Sequence, residues 1–172
     1  MRYLLDSDAL IAAKDLYYKP SYCAGFWGWL NDCHAHGALS SIDKVRDELL
    51  RGNLADHLVS WARQKDHEGF FQNSAGALRQ FQALTQWAHQ RQPSFKQPAR
   101  DKFLRAESAD IWLIAFAANY PGQYTIVTNE VSAPQSTTSI KLPDAAQHLG
   151  VQTINIFALL DRFAHNTFTF RP

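Results

Sequence analysis

Apolar residues along this chain fall into two kinds of run. RYLL (2–5), ALSSI (38–42), YTIVT (124–128) and VQTINIF (151–157) are short, dense and free of in–out alternation, so they read as strands covered on both faces. Between them apolar positions recur at helical spacing. DALIAAKDLYY predicts a helix running toward Pro20, and FWGWLNDCHAHG (26–37) a second one stopped by Gly37. KVRDELLRG predicts a third, with Asp43 at its start and Gly52 at its close. LADHLVSWARQ (54–64) and AGALRQFQALTQWAHQR (75–91) follow, the latter with Leu78, Phe81, Leu84, Trp87 and Ala88 on one stripe. GFFQ (69–72) reads as a brief extended piece, and QPSFKQPAR (92–100), with two prolines, as a loop or break. ESADIWLIAFAANY (107–120) is apolar nearly all round and predicts a buried helix ended by Pro121-Gly122. DAAQHLG, behind Pro143, predicts a short one.

Strands alternating with helices predict an α/β fold: three α/β/α layers around a mostly parallel sheet of four or five short strands. The chain suits a single domain, with 54–105 as a helical insertion. In such a sheet the binding crevice lies beyond the carboxyl ends of the strands. Asp6 follows RYLL and Glu130 follows YTIVTN at that end.

Composition sharpens the picture. At 46% hydrophobic and 13% aromatic, 172 residues can bury a real core and do not resemble a disordered segment. Only 19% are charged, so an acid in an apolar context is informative. The longest apolar run, IWLIAFAA (111–118), is too short to cross a bilayer. Cys23 and Cys33 make no disulfide framework, and Met1-Arg2 leads into a strand rather than a cleavable leader; a cytoplasmic location is expected. Net charge is +1, yet residues 79–105 are net +5 between two flanks of −2 each. One face for phosphates and another for metal gives that distribution, as does a solvated helix surface.

The acids carry the candidate chemistry. Asp6 and Asp8 stand one residue apart at the tip of the first strand. Glu48 lies in VRDELL, where Val45, Leu49 and Leu50 mark the buried side and Asp47 is expected to face water. Asp110 opens the apolar helix one turn after Glu107. An ionised carboxylate there is unfavourable by on the order of several kcal/mol unless compensated. A shared divalent cation would compensate Asp6, Glu48, Asp110 and Glu130 together, and Mg²⁺ and Mn²⁺ favour such oxygen donors. The plainer alternative makes Asp110 a local cap beside Ser108.

The series LLDSDALI, VRDEL, ESADIWLIAFA and IVTNE resembles the PIN-domain nucleases over almost the whole chain. FWGWL and KLPDAAQHLGV resemble more closely a bacterial PIN-like family without an assigned function. The resemblance implies one PIN-like domain and hydrolysis of RNA with one or two Mg²⁺ or Mn²⁺ ions. It implies Asp6, Glu48, Asp110 and Glu130 as catalytic residues, with Asp6, Asp110 and Glu130 on the metal. Asp8, Thr128 and Asn129 shape the corner behind them. Glu130 stands where the family has aspartate, and Asp8 where it more often has serine or asparagine. Arg100, Lys102 and Arg105, leading into the Asp110 helix, are candidates for RNA phosphate contact. Small bacterial PIN nucleases are mostly toxins silenced by an antitoxin across the acidic site, and they commonly pair. An antitoxin and a homodimer partner are therefore implied as well.

Two other readings stay open. LLDSDAL also fits the aspartate nucleophile motif of haloacid-dehalogenase-type phosphatases, with Thr128 and Lys141 as its threonine and lysine. That chemistry needs paired acids after a later strand, which Asp144 and Asp161 do not offer, and it leaves Glu48 and Asp110 unexplained. The third reading is a PIN-like RNA- or partner-binding module without turnover, favoured by the glutamate at 130. Among weaker signals, CHAHG (33–37) with Cys23 lacks the second ligand pair of a zinc site. Phe26, Trp27 and Trp29 with Tyr17, Tyr18 and Tyr22 suit core packing more readily than base stacking.

Overall fold

Leu4, Leu5, Ile126 and Val127 are buried because the strands that carry them lie at the centre of the sheet. The computed structural model describes residues 2–164. Its strands are β1 (Arg2–Leu5), β2 (Leu39–Ile42), β3 (Phe71–Gln72), β4 (Tyr124–Val127) and β5 (Gln152–Ile154). All pair in parallel, in the order β3-β2-β1-β4-β5. Tyr3 lies opposite Leu39 on one side and Thr125 on the other. The chain thus steps outward from β1 through β2 to β3, then returns to the far side of β1 as β4. The point of reversal lies between β1 and β4, where open parallel sheets bind ligands.

The helices are α1 (Ser7–Ala12), α2 (Ala24–Ala35), α3 (Asp43–Leu49), α4 (His57–His67), α5 (Leu78–Gln90), α6 (Gln97–Phe103), α7 (Ala109–Ala118), α8 (Leu142–His148) and α9 (Ile156–Phe163). They flank the sheet to give the three-layer α/β/α arrangement. Helix α7 is buried almost all round and packs against α3, α5 and α8 as well as β2 and β4. Among the described residues, no helix is long and apolar enough to cross a membrane.

Several boundaries differ from the sequence reading. After α1 the chain widens into a π-helical turn, Ala13–Tyr17. Helix α4 starts at His57 rather than Leu54, because Asp56 Oδ1 accepts from the Leu58 amide at 2.8 Å and caps it. The stretch 92–100 is not wholly a break: α6 begins at Gln97, with Pro98 in the first turn, where a missing N–H is harmless. VQTINIF is strand only to Ile154; Asn155 Oδ1 accepts from the Ala158 amide at 2.8 Å and opens α9 instead. Within 54–105, β3 pairs with β2 through Ser41 and Phe71, so this region supplies a sheet edge besides its helices.

The aromatic cluster around α2 is packing. Phe26, Trp27 and Trp29 are buried, and Tyr18 stacks on Phe26 at 4.4 Å, while Tyr17 and Tyr22 stay exposed. His34, from CHAHG, is held by the Leu39 and Glu68 carbonyls.

Candidate functional site

Asp6 is where β1 becomes α1. Its backbone is still extended and its amide donates to the Val127 carbonyl at 3.0 Å, continuing the sheet by one residue. Its carboxylate then caps α1, Oδ1 accepting from the Ser7 amide at 2.7 Å. Aspartate is among the preferred residues for that task. The cap is only 2% exposed.

The end of β4 meets it. Thr128 Oγ1 donates toward Asp6 Oδ2 at 3.0 Å and toward Asp8 Oδ2 at 3.2 Å. The same oxygen accepts from the Glu130 amide at 3.2 Å, and the Asn129 amide donates to Asp8 at 3.1 Å. The side-chain nitrogen of Asn129 is buried with no hydrogen-bond partner among the described residues.

Glu48 arrives from α3. Contrary to the sequence reading, it is exposed rather than core-facing, while Asp47 is half-buried and paired with Arg46. Glu48 nonetheless reaches inward, its Oε2 accepting from Ser7 Oγ at 3.1 Å. Asp110, in the first turn of α7, is half-buried. Glu130 lines one pocket with Asp110, but both of its oxygens are engaged: Oε1 with Lys141 Nζ at 3.3 Å, Oε2 with the Leu142 amide at 2.7 Å. It thereby satisfies an otherwise open N–H at the start of α8.

These acids feel one another. Burial, then the charges of Asp110 and Asp8, push the Asp6 carboxyl well above the usual carboxylate range, against a lowering contribution from the Thr128 hydrogen bond. Burial, then Glu130, Glu48 and Asp8, push Asp110 up to about 6, with Lys102 acting the other way. Asp6, Asp8, Glu48, Asp110 and Glu130 therefore share one electrostatic neighbourhood at the topological switch point. Among the described residues, no three His, Cys, Asp or Glu side chains are already gathered into a finished metal cage. The donor set is all oxygen, which suits Mg²⁺ or Mn²⁺ rather than zinc.

A pocket of about 320 Å³ opens beside the acids, reaching Asp110 and Glu130. Lys102 and Lys141 stand at it together with Ser108 and Thr138. The three basic candidates divide here. Lys102 is exposed and faces the pocket, Arg105 is exposed before α7, and Arg100 is half-buried with Nη1 donating to the Phe95 carbonyl at 2.6 Å. Arg100 is thus tied to its own loop.

A family model described as Domain of unknown function (DUF4411) matches residues 3–167. The chain belongs to that family. Comparison with curated proteins and with solved structures returns no match. The DUF4411 span takes in Asp6, Asp8, Glu48, Asp110 and Glu130, and the whole described sheet from Tyr3 onward.

Sequence reasoning missed two contributors to the candidate site. Ser7, between two acids, bridges to Glu48, and nothing in its spacing announced this. From the sequence, Lys141 fits only the phosphatase motif. The signal for its neighbour was present: Pro143 marks the first turn of a helix, where amides lack intrahelical acceptors, and Glu130 accepts from Leu142.

Proposed function

We propose that this chain is a divalent-metal-dependent endoribonuclease that hydrolyses RNA phosphodiester bonds at the acids between β1 and β4. The observation that carries the reading is Asp6. It is a carboxyl 2% exposed whose charged neighbours are Asp110 and Asp8. A buried acid facing other acids is a poor structural choice and marks a functional site or a cation's seat. Asp6 and Asp110 would hold the ion, with Glu130 and Glu48 at its margin. Mg²⁺ or Mn²⁺ bound there supplies polarisation of the scissile phosphate and an activated water.

The chain's own part is positioning. The Ser7 amide and Thr128 hydroxyl fix both oxygens of Asp6, and Asp8 is held by the Thr128 hydroxyl and the Asn129 amide. Glu48 leans on Ser7 with one oxygen and keeps the other available to orient a water. The unpartnered Asn129 side-chain amide offers a donor for a substrate oxygen. A role as the toxin of a toxin–antitoxin pair, with an antitoxin and a second copy as partners, rests on the PIN resemblance alone.

The test is cleavage of RNA in Mg²⁺ or Mn²⁺ and in chelator, comparing the natural chain with Asp110→Asn. Divalent-dependent cleavage that falls by orders of magnitude in the variant is expected; equal activity in both removes Asp110 from the site. The full engagement of Glu130 by Lys141 and Leu142 favours a second reading, a binding module without turnover. RNA binding with no cleavage in any divalent metal would establish it.

A further inference from the structure

The pocket beside the acids is asymmetric. Asp110 and Glu130 form one side; Lys102 and Lys141 stand at the same opening. The rest of its lining sets apolar Pro98, Ala99, Phe103 and Ile140 beside the hydroxyl residues Ser108, Thr138 and Ser139. Lys102 has no ion pair among the described residues, and Ser108 and Thr138 make no side-chain hydrogen bond there. The pocket is braced from behind. The Lys96 amide donates to the Thr137 carbonyl at 2.8 Å, and the Arg91 guanidinium donates to the carbonyls of Pro134 and Ser136. Its volume of about 320 Å³ is at the small end of ligand pockets, enough for one compact ligand unit.

We propose that this pocket seats a single nucleotide unit, its base against the apolar residues and its phosphate between Lys102 and Lys141. Apolar residues beside two unused hydroxyls suit a nucleobase, whose flat faces are apolar and whose edges both donate and accept. Two ammonium groups at the mouth suit the phosphate, and that placement brings the next phosphodiester toward Asp110. Glu130 acts as a positioning residue: it fixes Lys141 at the mouth through the 3.3 Å contact. Only the statement that the seated unit adjoins the scissile bond rests on the nuclease reading; the seat itself does not.

The experiment is titration of the isotope-labelled chain with adenosine and uridine 5′-monophosphates in chelator, followed by amide NMR shifts, with inorganic phosphate and free nucleoside as separate arms. Shifts are expected at 98–103 and 138–141, stronger for the monophosphates than for either half alone. Lys102→Glu and Thr138→Trp, both at exposed positions, are each expected to weaken binding at least tenfold. No shift at the pocket, equal binding of inorganic phosphate alone, or variants that bind like the natural chain each overturn the seat. Binding at the pocket without RNA cleavage in any metal upholds it and overturns the nuclease reading. Cleavage abolished by Asp110→Asn, with no nucleotide bound at the pocket, does the reverse.

Discussion

The hydroxyl of Thr128 lies 3.0 Å from Asp6 Oδ2, joining the ends of two strands whose residues are 122 positions apart in sequence. One hydroxyl has one proton, yet Asp8 Oδ2 stands only 3.2 Å away, so the two carboxylates compete for a single donor. That competition ties the acidic corner to the register of β1 against β4.

Thr128→Val keeps the shape and removes the donor. Loss of a buried hydrogen bond to charged groups is expected to lower stability by about 1–3 kcal/mol at neutral pH. It also pushes Asp6 further toward its neutral form and weakens divalent binding. Urea unfolding and Mn²⁺ titration of the variant measure the two effects; unchanged values in both would show that the hydroxyl is incidental.

Asp110→Asn should raise the stability of the metal-free chain in a pH-dependent way. The folded carboxyl titrates near 6 against an ordinary value of 3.8, so the folded form holds the extra proton between those values. Stability from this group is present below about 4 and is lost as pH rises through 6. The variant's advantage therefore grows from pH 4 to pH 7, toward something on the order of 2 kcal/mol. Denaturant unfolding in chelator across that range checks it, and an advantage that stays flat would contradict the assigned shift.

Divalent cation should reverse that penalty in the natural chain. An ion that binds only the folded form stabilises it in proportion to the logarithm of its concentration. Millimolar Mn²⁺ at pH 7.5 is expected to raise Tm by several degrees, and Asp6→Asn to abolish the shift. Asparagine caps helices as well as aspartate does, so this variant should still fold.

Arg100→Ala and Lys102→Ala should part company. Arg100 is spent on the Phe95 carbonyl, so its loss is expected to reduce stability by about 1 kcal/mol with little change in RNA affinity. Lys102 is exposed and has no ion pair among the described residues, so its loss should change stability little and lower the salt dependence of RNA binding by about one counterion. Melting curves and binding at several salt concentrations separate them.

Much of this arrangement was legible in the chain. Dense runs such as YTIVT have no polar face, so they fit only the middle of a sheet, and Asp6 and Glu130 had to emerge at its carboxyl ends. Asp110 stood out because its helix is otherwise apolar. The errors have physical causes. Pro98 read as a break, although a proline in a helix's first turn breaks nothing. INIF reads as strand because β-branched and aromatic residues favour strands, and the Asn155 cap overrides that preference. Glu48, beside buried Leu49 in sequence, reaches Ser7 from an exposed position by the length of its side chain. The difference between Arg100 and Lys102 depends on a carbonyl five residues upstream, a distinction that charge counting does not contain.

The sheet ends in very short margins: β3 has two residues and β5 three, against four in each of the central strands. An edge that brief offers another molecule almost no row of open amides and carbonyls to extend, which is one of the ways natural sheets resist runaway stacking. The broad, sticky part of this architecture is thus sealed inside.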